Sequence, residues 1–295
     1  MRKLEKRPES LQKNAAPYAA VEWPAEYYPM SLPPPIVLTF AGSDPTGGAG
    51  LQADLLTLAS MGCHPLSVVT ALTVQDTHGV ASLDAVDAAR VRMQAERLLA
   101  DTRVDAFKLG LLGSVANVQV VAALLAEHAE VPVVLDPVLA SGRGDVLASD
   151  EVIAALRELI VPQSTVVTPN SIEARRLANA SSLAQSAQRL VERGAEYVLV
   201  TGTHEPGSEV LNTLYDRGGV VREDRWPRLP GSYHGSGCTL ASAVAAALAN
   251  GLGVPEAVRD AQEFTWQSLS SGFRAGTGQL IPDRFFWARE TLAGK

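Results

Sequence analysis

Two segments far apart in the chain combine small residues with groups able to do chemistry. The first, Ala41-Gly42-Ser43-Asp44-Pro45-Thr46-Gly47-Gly48-Ala49-Gly50, follows a β-branched run and leads into a helical pattern. Glycines let a backbone approach a ligand closely, and the start of the next helix offers free amides. The spacing is neither that of a Walker loop nor that of a dinucleotide fingerprint, so a tight turn is an equal reading. Gln52 and Asp54 fall in the first turn of that helix, where an acid also complements the helix dipole. The second segment, His234-Gly235-Ser236-Gly237-Cys238-Thr239, precedes the apolar run LASAVAAALANG. Small residues ahead of a long helix form an anion nest, suited to the charge on a phosphoryl group in transfer. Cys238 at that terminus is expected to have its thiolate favoured by the dipole, which suits proton abstraction. The competing reading is a small buried cysteine on a packed helix.

Between these segments stand Asp136-Pro137-Val138, and Thr168-Pro169-Asn170 with Glu173 three residues on. Ligands of doubly wound sheets bind at the carboxyl ends of strands, and carboxylates gathered there can hold Mg²⁺ directly or through water. Asn170 reads equally as a helix N-cap and Glu173 as the acid of a capping box.

The elements that position these residues follow from periodicity. IVLTFAG, LSVVTALTV, AFKLGLL, VPVVLDPV, TVVTPN and EYVLVTG read as strands, alternating with helical stretches at 51–62, 87–101, 115–129 and 182–194. Such alternation predicts βαβ units and a mostly parallel sheet covered by helices. EVLNTLY and GVVREDRW flank Asp216-Arg217-Gly218-Gly219 as an edge hairpin, and two helices follow at 238–250 and 255–271. Residues 36–295 are expected to form one domain. Residues 1–35, with five prolines among Trp23, Tyr27 and Tyr28 in their second half, are expected to be an irregular extension, and their charged start is not a secretory signal.

Of 295 residues, 46% are hydrophobic, enough for a sizeable core. The formal charge of -7 argues against nucleic-acid or anionic-membrane partners, and no apolar run is long enough to span a bilayer. Two distant cysteines, Cys63 and Cys238, make no disulfide framework, which points to the cytoplasm.

Taken together, AGSDPTGGAGLQADL, VVTALTVQDTHGV and HGSGCTLASAVAAALANG resemble the hydroxymethylpyrimidine/phosphomethylpyrimidine kinases of the ribokinase superfamily, over about residues 36–289. TPNSIEA is similar to the superfamily's Asn-x-x-Glu motif. The resemblance implies a three-layer αβα sandwich, ATP and Mg²⁺ as cofactors, a homodimer, and phosphorylation of the aminopyrimidine alcohol and then of its monophosphate. It implies that Asp54 and Gln75 bond the pyrimidine edge, with Gly42 and Leu111 against the ring. It gives Cys238 as base and Gly235, Ser236 and Gly237 as the anion hole. Asp136 and Glu173 would organise the metal, while Asn170, Thr201 and Thr203 lie on the nucleotide side.

Two departures accompany the resemblance. Relatives often carry a lysine where this chain has Val200-Thr201-Gly202-Thr203-His204, and another where it has Gly276-Thr277-Gly278. Lys108, Arg143 and His204 are open candidates for the replacement charge. Pyridoxal kinase is the nearest enzymatic alternative, and a non-catalytic ligand-binding protein on the same scaffold is a third reading.

Overall fold

The run IVLTFAGS forms β1 (Ile36–Ser43), around which the sheet of this computed structural model is built; residues 33–141 and 144–290 are described. The irregular extension expected over 1–35 lies almost wholly outside the described residues, as does Arg143. β1 pairs in parallel with β2 (His64–Asp76), and β3 (Gly79–Ala85) turns back antiparallel on β2. On its other side, parallel pairing runs through β4 (Ala106–Leu109), β5 (Val133–Leu135), β6 (Val166–Val167) and β7 (Tyr197–Thr201). Antiparallel β8 (Glu209–Asp216) and β9 (Gly219–Pro227) end the sheet, in the order β3-β2-β1-β4-β5-β6-β7-β8-β9.

The helices are α1 (Gly50–Ser60), α2 (Ala88–Leu99), α3 (Val115–Ala126), α4 (Asp150–Ala155), α5 (Ser171–Ala178), α6 (Leu183–Glu192), α7 (Ser236–Ala249), α8 (Val254–Ser270) and α9 (Phe286–Glu290). Strand side chains alternate between two faces, and the two cores follow that alternation. Val37, Ala106, Val134, Val166 and Leu199 pack with Leu58 of α1 and with the alanines of α7. Leu38, Phe107, Val133, Val167 and Val198 pack with α2 to α6. The result is the three-layer αβα arrangement with a mostly parallel sheet that the pattern called for. No helix among the described residues is long and apolar enough to cross a membrane.

Two elements differ from the sequence expectation. The run read as a single strand, LSVVTALTV, extends into a β2–β3 hairpin whose turn is tied by Asp76 Oδ1 accepting from the amides of His78 (2.7 Å) and Gly79 (3.2 Å). The stretch 273–281 also pairs, Phe273 with Ile281 and Leu280 with Tyr233, so it runs beside the approach to α7.

Candidate active site

Three strands deliver polar residues two positions beyond core residues of the α1/α7 face: Thr39 after Val37, Lys108 after Ala106, and Asp136 after Val134. Period-2 geometry therefore aims all three at the same layer, near the strands' carboxyl ends. Asp54 enters from α1 and Ser242 from α7. The Asp54 carboxylate accepts from Thr39 Oγ1 (2.7 Å), Lys108 Nζ (2.8 Å) and Ser242 Oγ (2.8 Å), and none of its surface reaches solvent. Lys108, equally buried, is 4.0 Å from Asp136 Oδ2. Burial alone would ease its proton off, but Asp54, the Cys238 sulfur and Asp136 outweigh that and hold Lys108 charged. Asp54, expected at a ring edge, thus faces inward with its carboxylate committed to three internal donors.

Cys238 stands next to this group, within electrostatic reach of Asp136 and Lys108 and of the Gly50 amide. The expectation of a favoured thiolate is corrected. Although part of Cys238 is exposed, burial of the sulfur and then the Asp136 charge push its pKa well above the ordinary thiol value, against the opposing pull of Lys108. The helix-terminus effect is real but smaller than desolvation beside a carboxylate. Asp136 is itself raised by burial, against Lys108 and the thiol, and its Oδ2 is buried with no hydrogen-bond partner.

Asn170 and Glu173 form the capping box of α5. Asn170 Oδ1 accepts from the amides of Ile172 and Glu173 (both 3.0 Å), and Glu173 Oε2 accepts from the Asn170 amide (3.1 Å). Glu173 Oε1 reaches further, to the Leu139 amide (3.1 Å), across a turn in which Val138 takes φ +42°, a conformation that β-branched residues avoid. Burial and then the nearby Asp136 charge push Glu173 up to about 7, more than these amides counteract. The capping and the carboxylate pairing hold together, because the cap points Glu173 back toward Asp136.

A stability effect follows from that shift. The folded protein keeps the Glu173 proton to about pH 7, whereas an ordinary glutamate loses it near 4.5, so folding is favoured below that window and weakened as pH rises through it. In metal-free buffer the contribution is on the order of 3 kcal/mol. Glu173→Gln is expected to flatten the denaturation midpoint between pH 4.5 and 7; an unchanged slope would exclude the shift.

The glycine-rich turn does not hold an open nest. Its own Asp44 fills it, accepting from the Thr46 amide (2.8 Å), Thr46 Oγ1 (2.9 Å) and the Ala49 amide (2.7 Å). The His234 ring completes the set through Nε2 at 2.9 Å. Burial would raise the Asp44 carboxyl, but the His234 bond and these loop bonds outweigh it and hold it low. This turn and the 234–238 segment lie so close that a side chain at Gly235, which has φ +83°, would strike the Gly48 carbonyl. Gly237 passes beside the Asp136 carboxylate, and Ser236 begins α7.

Gly42 and Leu111 are neighbours: a Cβ on Gly42 would lie 3.1 Å from Leu111 Cδ2. Gln75 is half-buried further out on β2, just past a register shift, and lines an open cleft of about 440 Å³ with Val74, His78, Val80 and Asp145. Thr73 Oγ1 donates to the Ser43 carbonyl (2.9 Å), tying that stretch of β2 to the glycine turn. The hairpin tip is clasped by the Gly276-Thr277-Gly278 stretch: Gly278 N donates to Thr77 Oγ1 (3.1 Å) and Gln279 N to the Thr77 carbonyl (2.9 Å). Thr201 is buried at the end of β7 beside Asn170, whereas Thr203 and His204 are exposed. The loop they begin is held by Arg228, which donates to the carbonyls of Thr203 (2.7 Å), Glu205 (2.7 Å) and Gly207 (2.9 Å). A cleft of about 460 Å³ between α6 and β7–β9, lined by Leu183, Val200, Leu211 and Tyr215, contains none of the candidate catalytic residues.

Sequence reasoning missed the Asp44–His234 pair and Arg284, a fully enclosed arginine that donates to Gly48 O (2.6 Å) and to Thr239 Oγ1 (3.1 Å). The only local signal was an arginine amid apolar residues after Pro282-Asp283.

Residues 44–283 match the family model described as phosphomethylpyrimidine kinase. A hydroxymethylpyrimidine/phosphomethylpyrimidine kinase of Streptomyces coelicolor is 40% identical over 264 residues, covering 86% of this chain and 96% of that protein. An ADP complex of Bacillus subtilis pyridoxal kinase superposes with TM-score 0.80 at 29% identity, over 86% of this chain and 99% of that one. A phosphomethylpyrimidine kinase structure from Clostridium difficile gives TM-score 0.70 at 29% identity, over 80% and 99% respectively.

Proposed function

Because this chain belongs to the phosphomethylpyrimidine kinase family, we propose that it uses ATP to phosphorylate 4-amino-5-hydroxymethyl-2-methylpyrimidine and then its monophosphate, yielding the diphosphate for thiamine biosynthesis. The observation that carries this reading is the meeting of Cys238, Asp136 and Lys108 at the start of α7. Phosphoryl transfer needs an oriented acceptor hydroxyl and stabilised charge more than covalent help. Cys238 first gives up its own proton to solvent, and as the thiolate it orients the hydroxymethyl group and takes its proton as the oxygen–phosphorus bond forms and the bond to ADP breaks. Lys108 and the Gly50 amide stabilise that thiolate before it accepts the substrate proton. Amides of Ser236, Gly237 and Cys238 face the phosphoryl oxygens from the first turn of α7, where they have no intrahelical partner. Gly42, Leu111 and Gln75 contact the pyrimidine, and Asp54 acts through Lys108. Thr201, Thr203 and Asn170 lie on the nucleotide side.

Asp136 and Glu173 fit a hard divalent cation. An orphaned buried carboxylate oxygen lies near a second carboxylate that its charge perturbs, and the described residues hold no cluster of three or more ligating side chains. Two protein oxygens, with water and phosphate completing the shell, suit Mg²⁺. When bound, Mg²⁺ would neutralise the ATP phosphates and the Asp136 charge that keeps Cys238 protonated.

Residues 36–295 act in this reading as one kinase domain, in the cytoplasm and as a homodimer. Pyridoxal phosphorylation is the second reading, favoured by the pyridoxal kinase neighbour. A coupled ADP-release assay with both alcohols separates the two; turnover of pyridoxal alone would overturn the first, and turnover of neither would overturn both. Gln75→Leu is expected to raise the pyrimidine KM by roughly two- to tenfold, the loss of one neutral hydrogen bond, with kcat retained. An unchanged KM would remove Gln75 from the site.

A further inference from the structure

Arg284 has no part in the assignments above, yet it joins the two loops that meet at the site. It lies between the 273–281 segment and α9, and only 2% of its surface is exposed. Its guanidinium donates through Nη2 to Gly48 O (2.6 Å), through Nη1 to Gly47 O (3.4 Å) and through Nε to Thr239 Oγ1 (3.1 Å). Thr239 Oγ1 passes the interaction on, donating to Gly235 O (2.8 Å), which also accepts from the Thr239 amide (3.0 Å). A peptide whose carbonyl is fixed toward the helix turns its N–H the opposite way. Here that N–H belongs to Ser236, the first residue of α7.

We propose that Arg284 is a positioning residue for phosphoryl transfer, its buried guanidinium locking the glycine-rich turn to the start of α7 and holding a positive charge behind the amides of 236–238. The planar fork matters as much as the charge. Its donors reach two carbonyls of one turn and a hydroxyl of another element, which a lysine ammonium on a single flexible stem does not reproduce. The charge lies within electrostatic reach of Cys238, Asp54 and Asp44.

The inference rests on the kinase reading, and the test keeps the two apart by following turnover and thiol chemistry separately in the full chain. With Arg284→Met, kcat is expected to fall roughly 100-fold, the cost of misplacing reacting groups by about 1 Å, while the pyrimidine KM stays within about twofold. Arg284→Lys is expected to recover part of that loss. Alkylation of Cys238 by iodoacetamide at fixed pH is expected to slow in Arg284→Met, because a nearby cation is gone; mere loosening of the structure would expose the thiol and speed it. Thr239→Val, which removes the relay and keeps the cation, is expected to lower kcat and leave alkylation unchanged, and it serves if Arg284→Met folds poorly. A kcat for Arg284→Met within about threefold of the wild type, or faster alkylation of Cys238, would overturn the proposal. If the wild-type chain turns over no substrate, the kinase reading fails and the alkylation rates still decide whether Arg284 acts on the thiol.

Discussion

Asp136→Asn is expected to lower kcat by roughly 10²–10⁴-fold while making Cys238 more reactive toward alkylation. The two effects have opposite signs because the carboxylate has two consequences. It is the orphaned oxygen offered to Mg²⁺, and it is the charge that, after burial itself, does most to keep the thiol protonated. Asparagine keeps the size and removes the charge, so turnover falls and the thiol pKa falls with it. Cys238→Ala is expected to lose a comparable factor in kcat, and Cys238→Asp to recover some of it by supplying a carboxylate in the same place. An Asp136→Asn variant that turns over normally, or whose Cys238 reacts more slowly than in the wild type, would show that the carboxylate neither serves the reaction nor restrains the thiol. Cys63 is the internal reference: burial raises it to about 11, and almost none of its surface is exposed, so its alkylation should be slow in every variant.

The second large effect is on stability. Lys108→Met is expected to cost about 3–5 kcal/mol in chemical denaturation, because it leaves the Asp54 carboxylate buried without its cation at 2.8 Å. The neighbouring Asp136 loses its counter-charge as well. A double variant, Lys108→Met with Asp54→Asn, is expected to regain most of that loss: Thr39 and Ser242 meet different oxygens of Asp54, so one still donates to the amide oxygen while the other hydroxyl turns to accept from the amide nitrogen. A single variant within about 1 kcal/mol of the wild type would mean that water, not protein, surrounds this pair.

How far the chain announced these features depends on the range over which each was set. The strand pattern was readable, and so was the placement of Thr39, Lys108 and Asp136 in principle, because each follows a core valine or alanine by two residues. Asn170 and Glu173 read either as a cap or as metal-side carboxylates; the folded chain uses the cap to aim the carboxylate. The β3 strand escaped notice because GVASLDA has an edge-strand composition with small and acidic residues and little buried surface. The thiol was misjudged for a different reason. Its helix terminus is local and visible, whereas the desolvation and the Asp136 charge that overrule it come from a strand about a hundred residues earlier. Arg284 carried almost no signal, because nothing near it in sequence tells which carbonyls it will find.

The reach of the 273–284 segment has a consequence for how the enzyme comes into being. Arg284 binds Gly48 across 236 residues of chain, and Gly278 binds Thr77 across 201. During synthesis the β1–α1 turn and the hairpin tip emerge early and stand without these partners while the rest of the sheet is made. Contacts of such separation are costly in loop entropy and form late. The sheet and its helices can therefore be native-like before the site is: a ribosome-bound chain ending short of residue 284 would be folded in large part and still be an idle kinase, its two loops touching but not yet fastened.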